Sequence, residues 1–282
     1  MKIKDKLLSL AGIVGVIVGY FIGLILISLP LNNFFIPPKN EYLRNIIIYV
    51  LLLTFTIFYY FLIIKTFGKK EKPKHGLELE NRWLFHFIFS MVLATICISI
   101  IWSLVLFFGG FRINLNVLTK ETWADIFLLL INMLLVGFQE EILSRGALAY
   151  IGKKGGKWFS AIVISIFFSI SHLGIHGIEV INIIFLLNLF LYSIAAFQLS
   201  WFFGDLWSVA GFHFAWNFVM GGIFGVSISG FEATGLIMSK IETSNYINGG
   251  EFGLEGSIIC SIVLIALINI LIIKNRKHKQ KI

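Results

Sequence analysis

The sequence predicts an all-α protein, a polytopic membrane bundle of about eight transmembrane helices enclosing a polar cavity. Three observations lead there. The chain is 58% hydrophobic and 13% charged, where a soluble domain is usually ~25% charged. Its apolar runs recur from end to end, unlike a globular domain with one anchor. Lys and Arg fall between those runs, where topology determinants belong.

The spans are expected at about 7–29, 46–64, 83–108, 123–150, 158–174, 178–203, 206–228 and 257–273. The first follows a basic start, but its apolar run is too long for a signal-peptide core and no small-residue cleavage site follows, so it reads as a retained helix. Pro37–Pro38 and the stretch KKEKPKHG from Lys69 mark polar loops before the second and third spans. The fourth is long, so it is expected to tilt or project from the bilayer. The longest loop, about 229–256, carries one Lys and four Glu. No soluble domain and no internal repeat is visible. The chain divides into three N-terminal spans (1–122), a core of spans four to seven (123–228), and an extracytoplasmic loop with the last helix and a basic tail (229–282).

Eighteen of the 23 Lys and Arg residues fall on the side of the N-terminus. The positive-inside rule then places both termini in the cytoplasm. With no targeting segment and compact loops, a bacterial plasma membrane is expected. The net charge of +8 has no ordered basic-aromatic surface behind it, so no nucleic-acid partner is expected. Cys97 and Cys260 lie inside apolar runs and read as core residues, not a disulfide.

The stretch LLLINMLLVGFQEEILSRG, Leu128 to Gly146, sets Glu140 and Glu141 side by side at the end of an apolar helix. Ionisable residues within spans cost ~2.5–3.5 kcal/mol each on insertion scales and by default mark a site. A helix simply ending at the interface would explain them too, but the apolar pattern continues through ILSRGALAYIG. Glu141 and Arg145 are four apart with the acid first, the better order for a helical ion pair. Glu140 points about 100° away, toward Ser144. One acid can be neutralised structurally while the other stays available.

Other polar residues fall at compatible depth. Glu140 and His172 are each 16 residues from Gly156, the centre of the turn between spans four and five, so an antiparallel pair brings them level. His213 and Asn217 share one face of the seventh span, about 12 and 18 Å beyond the turn at Asp205. One Glu, two His and one Asn can therefore meet within the membrane. His176, His75 and His278 read as loop or tail residues, His86 as an interfacial histidine or one whose partner the sequence does not identify. Trp207 and Trp216 read as belt and packing residues.

A carboxylate in a dry site is a stronger base, and a nearby imidazole can share its proton and orient a water. A second His with an amide one turn later offers donors to an oxyanion. The set suits amide hydrolysis by activated water. Glu140, His172 and His213 are equally a zinc-type ligand set with an open fourth position. H-E-x-x-H is lacking, so the cofactor is either none or one divalent metal, zinc first.

EEILSR fits E-E-x-x-x-R, FSISH fits F-x-x-x-H, and HFAWN fits H-x-x-x-N, in that order. The chain resembles the CAAX-protease and bacteriocin-processing family of intramembrane proteases, which includes type II CAAX prenyl endopeptidases and lysostaphin-resistance-like proteins. The resemblance runs from about Trp123 to Gly222. It implies that Glu140 with His172 activates water, that His213 with Asn217 stabilises the oxyanion, and that Glu141 and Arg145 support the site. It leaves metal-dependent and metal-free mechanisms open. The expected activity is endopeptidase cleavage at or within the membrane, in CAAX-like processing, in peptide or bacteriocin maturation, or in self-immunity. The expected partners are membrane lipid and a peptide or membrane-protein substrate; oligomeric state is unassigned. The alternative is a non-proteolytic immunity or regulatory protein of the same fold. A transporter fits less well, because the polar residues are few and no inverted repeat is visible.

Overall fold

The computed structural model describes residues 2–34, 41–68, 76–79, 82–173 and 183–279. Pro37–Pro38, His75 and His176 lie outside them, as does the side chain of His278. The protein is an all-α membrane protein. Its helices are α1 (Ile3–Phe34), α2 (Glu41–Phe67), α3 (Trp83–Phe107), α4 (Lys120–Glu141), α5 (Lys157–Ser171), α6 (Ile183–Phe203), α7 (Trp207–Phe218) and α8 (Ile258–Lys279). The chain of α4 continues through a π-helical segment, Ile142–Leu148, and a short helix, Ala149–Gly152, so the long fourth span is one segmented rod.

Six helices among the described residues are long and apolar enough to cross a membrane. The other two spans expected from the sequence are shorter. α5 has 15 residues, about 22 Å at 1.5 Å per residue, less than the ~30 Å of a hydrocarbon core. α7 passes into a π-helical turn, Val219–Ile223, and helix ends there rather than at 228. Gly225, at φ +58°, then turns the chain back.

The following segment departs most from its expected form as a simple outer loop. Ile228 and Phe231 pair across a tight turn whose central residues, Ser229 and Gly230, both have positive φ, the backbone of a two-residue hairpin. Residues Ile237–Lys240 pair antiparallel with Arg112–Leu115, a small ribbon absent from the all-helical expectation. A 3₁₀ segment, Gly250–Gly256, buries Phe252, Leu254 and Glu255. Phe252 stacks on Phe185 of α6.

α7 is the central helix, with every residue from Ser208 to Asn217 buried. Small residues bring its neighbours close, as in other membrane bundles. A Cβ at Gly211 would strike the Phe87 carbonyl of α3, and one at Gly137 of α4 would press on the Phe214 amide. The start of α7 is fixed by Asp205. Its Oδ1 accepts the Ser208 amide at 2.9 Å, the usual service of a capping aspartate. Its Oδ2 meets His86 Nδ1 at 2.5 Å, so Asp205 is the partner of His86 that the sequence did not identify. Trp207 and Trp216 serve as packing residues. Trp216 is buried, and Trp207 packs on Trp83 and Phe138.

Candidate active site

Three consecutive residues of α4 point three ways, as the 100° step of a helix requires. Gln139 donates to the Tyr20 hydroxyl at 2.9 Å, and that hydroxyl meets Thr56, tying α4 to α1 and α2. Glu141, fully buried, faces inward. Glu140 lies between them and lines a cavity of about 90 Å³, room for water beside the carboxylate.

That cavity is also lined by His172, His213 and Asn217. The four residues expected to converge thus share one space, although they come from α4, the end of α5, and α7. One oxygen of Glu140, Oε2, is buried without a hydrogen-bond partner. The histidines are anchored through Nδ1. His172 Nδ1 lies 2.8 Å from the Phe168 carbonyl one turn back. A carbonyl only accepts, so Nδ1 carries the proton and the neutral ring keeps its lone pair on Nε2. His213 Nδ1 lies 2.8 Å from Glu141 Oε1. The carboxylate oxygen accepts the Nδ1–H and so fixes the plane of the imidazole ring.

Glu141 is held in turn by Arg145, with Nη1 3.0 Å from Oε2. The guanidinium reaches further. Nη2 donates to the Ser193 carbonyl at 2.9 Å and to its hydroxyl at 2.7 Å. The ring faces of Phe168 and Phe197 flank it at 5.2 and 5.0 Å. Ser165 donates to the same Ser193 hydroxyl. The support expected of the Glu141–Arg145 pair therefore extends to α5 and α6, and Glu141 also orients His213, a role the i, i+4 spacing alone does not contain.

Among the cavity residues that escaped the sequence reading, Glu255 and Tyr192 stand out. Glu255 enters from the 3₁₀ segment. Its Oε1 accepts Trp216 Nε1 at 3.1 Å, and its Oε2 accepts the Ser229 amide and hydroxyl at 2.9 and 2.6 Å. This carboxylate clasps the tight turn against α7 and walls the cavity on the ribbon side. Tyr192 of α6 places its ring edge-on to His213, and its hydroxyl is buried without a partner. The early signal was that GLEG and LLNLFLYS set polar groups among apolar residues and glycines. Phe231, Ile228, Tyr49 and Met133 separate the small cavity from a larger one of about 630 Å³ between α2, α4 and the turn.

The donor types of Glu140, His172 and His213 suit zinc. Among the described residues, no group of three or more His, Cys, Asp and Glu side chains is placed to hold a metal ion.

Residues 122–219 match the family model described as Type II CAAX prenyl endopeptidase Rce1-like. The match covers α4 to α7 and contains all three motifs. No curated protein matches the chain, and no solved structure does.

Arg145→Ala is expected to lower stability sharply, because breaking a buried ion pair typically costs ~3–5 kcal/mol. Thermal unfolding in detergent, with the yield of folded protein, measures this. A variant of normal stability that has lost activity would move Arg145 from support into the chemistry.

Proposed function

We propose, from the similarity of residues 122–219 to type II CAAX prenyl endopeptidases of the Rce1-like family, that this membrane protein is an intramembrane endopeptidase that cuts by water activated on Glu140. The observation that carries the reading is the free oxygen of Glu140, buried in a cavity with two imidazoles whose Nδ1 atoms are engaged.

In this mechanism a water lies between Glu140 Oε2 and His172 Nε2. Glu140 takes its proton as the oxygen attacks the scissile carbonyl carbon. The carbonyl π bond opens, and the resulting oxyanion is met by His213 Nε2–H and the Asn217 amide. The intermediate then collapses with cleavage of the C–N bond, and the proton on Glu140 passes to the leaving amine. Glu141 holds the His213 ring in its orientation through Nδ1. The larger neighbouring cavity offers the room for a polypeptide that the small one lacks. Processing of CAAX-like proteins, maturation of peptides or bacteriocins, and self-immunity all use this reaction. A non-proteolytic immunity or regulatory role is the second reading. The intact set of four residues at one cavity favours the first.

The two glutamates are expected to differ. Glu140→Gln keeps size and most hydrogen bonding but removes the base. It should leave thermal stability nearly unchanged and abolish turnover, since general-base catalysis contributes ~10²–10⁴-fold. Glu141→Gln should lose stability through Arg145 and retain part of its turnover, reduced by the weaker hold on His213. Both variants need comparison at equal membrane abundance on one peptide substrate. Normal turnover in Glu140→Gln with a dead but stable Glu141→Gln reverses the assignment; unaffected turnover in both removes the protease reading.

The mechanism needs no resident metal, so activity should survive exhaustive chelation of the purified protein. Activity lost on chelation and restored by stoichiometric zinc would instead make Glu140, His172 and His213 ligands.

The charge asymmetry supports both termini lying in the cytoplasm, and the compact loops support a bacterial plasma membrane. Reporter fusions at either end should read as cytoplasmic; an external reading at either terminus overturns this orientation.

A further inference from the structure

Away from the active site, α1, α2 and the end of the α4 rod line a cavity of about 530 Å³. It shares no lining residue with the cavity of Glu140. Its existence follows from glycine on α1. At Gly15 an added Cβ would meet nothing within 4 Å, while at Gly12 it would strike the Ile151 side chain. The helix therefore seats closely against the rod at one turn and leaves open space at the next.

The cavity is two-ended in chemistry. Along its length the lining is mainly apolar, with Val16, Leu62 and Ile63 among it. At the end nearest the N-terminus stand Ser9, Thr66, Lys153 and Lys154, and no acidic residue lines it. Lys153 is held at the rim with its ammonium 3.8 Å from the centre of the Tyr150 ring, and both lysines are exposed. The Ser9 hydroxyl is buried and has no hydrogen-bond partner. An apolar channel, a buried hydroxyl lacking a partner, and two cations at the mouth call for a ligand with a hydrocarbon tail and an anionic oxygen-rich head.

We propose that this cavity binds one anionic glycerophospholipid, its phosphodiester at Lys153, Lys154 and Ser9 and an acyl chain along α1 and α2. Charge complementarity selects the headgroup. A zwitterionic lipid would turn its own ammonium toward the two lysines, and free phosphate has nothing to place in the apolar length. Basic pockets between transmembrane helices bind anionic headgroups in this way. The bound lipid would fill the gap beside Tyr150 and Ile151 and so brace the segment that follows Arg145.

The test uses the full-length protein in neutral detergent. It is mixed with equal amounts of phosphatidylglycerol and phosphatidylcholine, and retained lipid is counted by native mass spectrometry. Phosphatidylglycerol should be retained about thirtyfold over phosphatidylcholine, two lysines acting at ~1 kcal/mol each. The double variant Lys153→Gln/Lys154→Gln should lose that preference. Gly15→Leu, which fills the channel without touching the lysines, should lose phosphatidylglycerol itself. Size-exclusion profiles and thermal unfolding verify that each variant is folded, and the lysine variant stands if Gly15→Leu does not. Equal retention of the two lipids, or a preference that survives the lysine substitutions, overturns the proposal. So does a stabilisation by inorganic phosphate equal to that by the lipid, which would make the site one for phosphate alone. The readout is binding, so it succeeds or fails independently of the proteolytic reading.

Discussion

One buried chain of charge, Arg145 to Glu141 to His213, organises the interior of this protein. A lone carboxylate or guanidinium is costly in apolar surroundings, and each is tolerable here because the other is within ion-pair distance. The pair does more than neutralise itself. Arg145 Nη2 donates to Ser193 of α6, and Glu141 accepts from His213 of α7. Three helices are thereby locked in register by groups that have no lower-energy alternative within the bilayer. Glu140, one residue away and facing elsewhere, is left with an oxygen that the network does not consume.

The cavity is closed by a different principle. The segment after α7 folds back instead of running out into solvent, because it carries both apolar anchors and one well-satisfied acid. Phe252 stacks on Phe185, Asn188 donates to the carbonyls of Glu255 and Ser257, and Glu255 receives three donors from Trp216 and Ser229. Ser229 sits at positive φ, a backbone that costs energy for a residue other than glycine. The carboxylate clasp holds it there. Departures from regular helix also concentrate at this place. π-helical turns follow both Glu141 and Asn217 within a few residues, and such turns frequently lie at functional sites because they re-aim side chains.

Much of this was legible in the sequence, for specific reasons. The long spans follow from composition, since a run of apolar residues has only one stable arrangement in lipid. The Glu141–Arg145 pair follows from helical spacing. The meeting of Glu140, His172, His213 and Asn217 follows from counting residues back to shared turns. The limits were physical too. α5 and the helical part of α7 are shorter than the apolar runs that announced them, because the runs continue past the helix ends. Ser229 and Glu255 lie in a segment whose glycines and acids read as an exposed loop. Tyr192 is one aromatic among many.

By itself the sequence determined the local and periodic features: helices, their order, the face each polar residue takes, and the charge asymmetry between the two sides. These depend on neighbours within a turn or on the bilayer's demand for apolar length. Only the tertiary structure decided the pairings that join distant segments. His86 with Asp205, Glu141 with His213, and Glu255 with Trp216 are separated by 119, 72 and 39 residues. No periodicity connects such positions. Each pairing exists because tertiary packing brings donor and acceptor together, and for Glu141–His213 and Glu255–Trp216 it does so where water cannot serve either one.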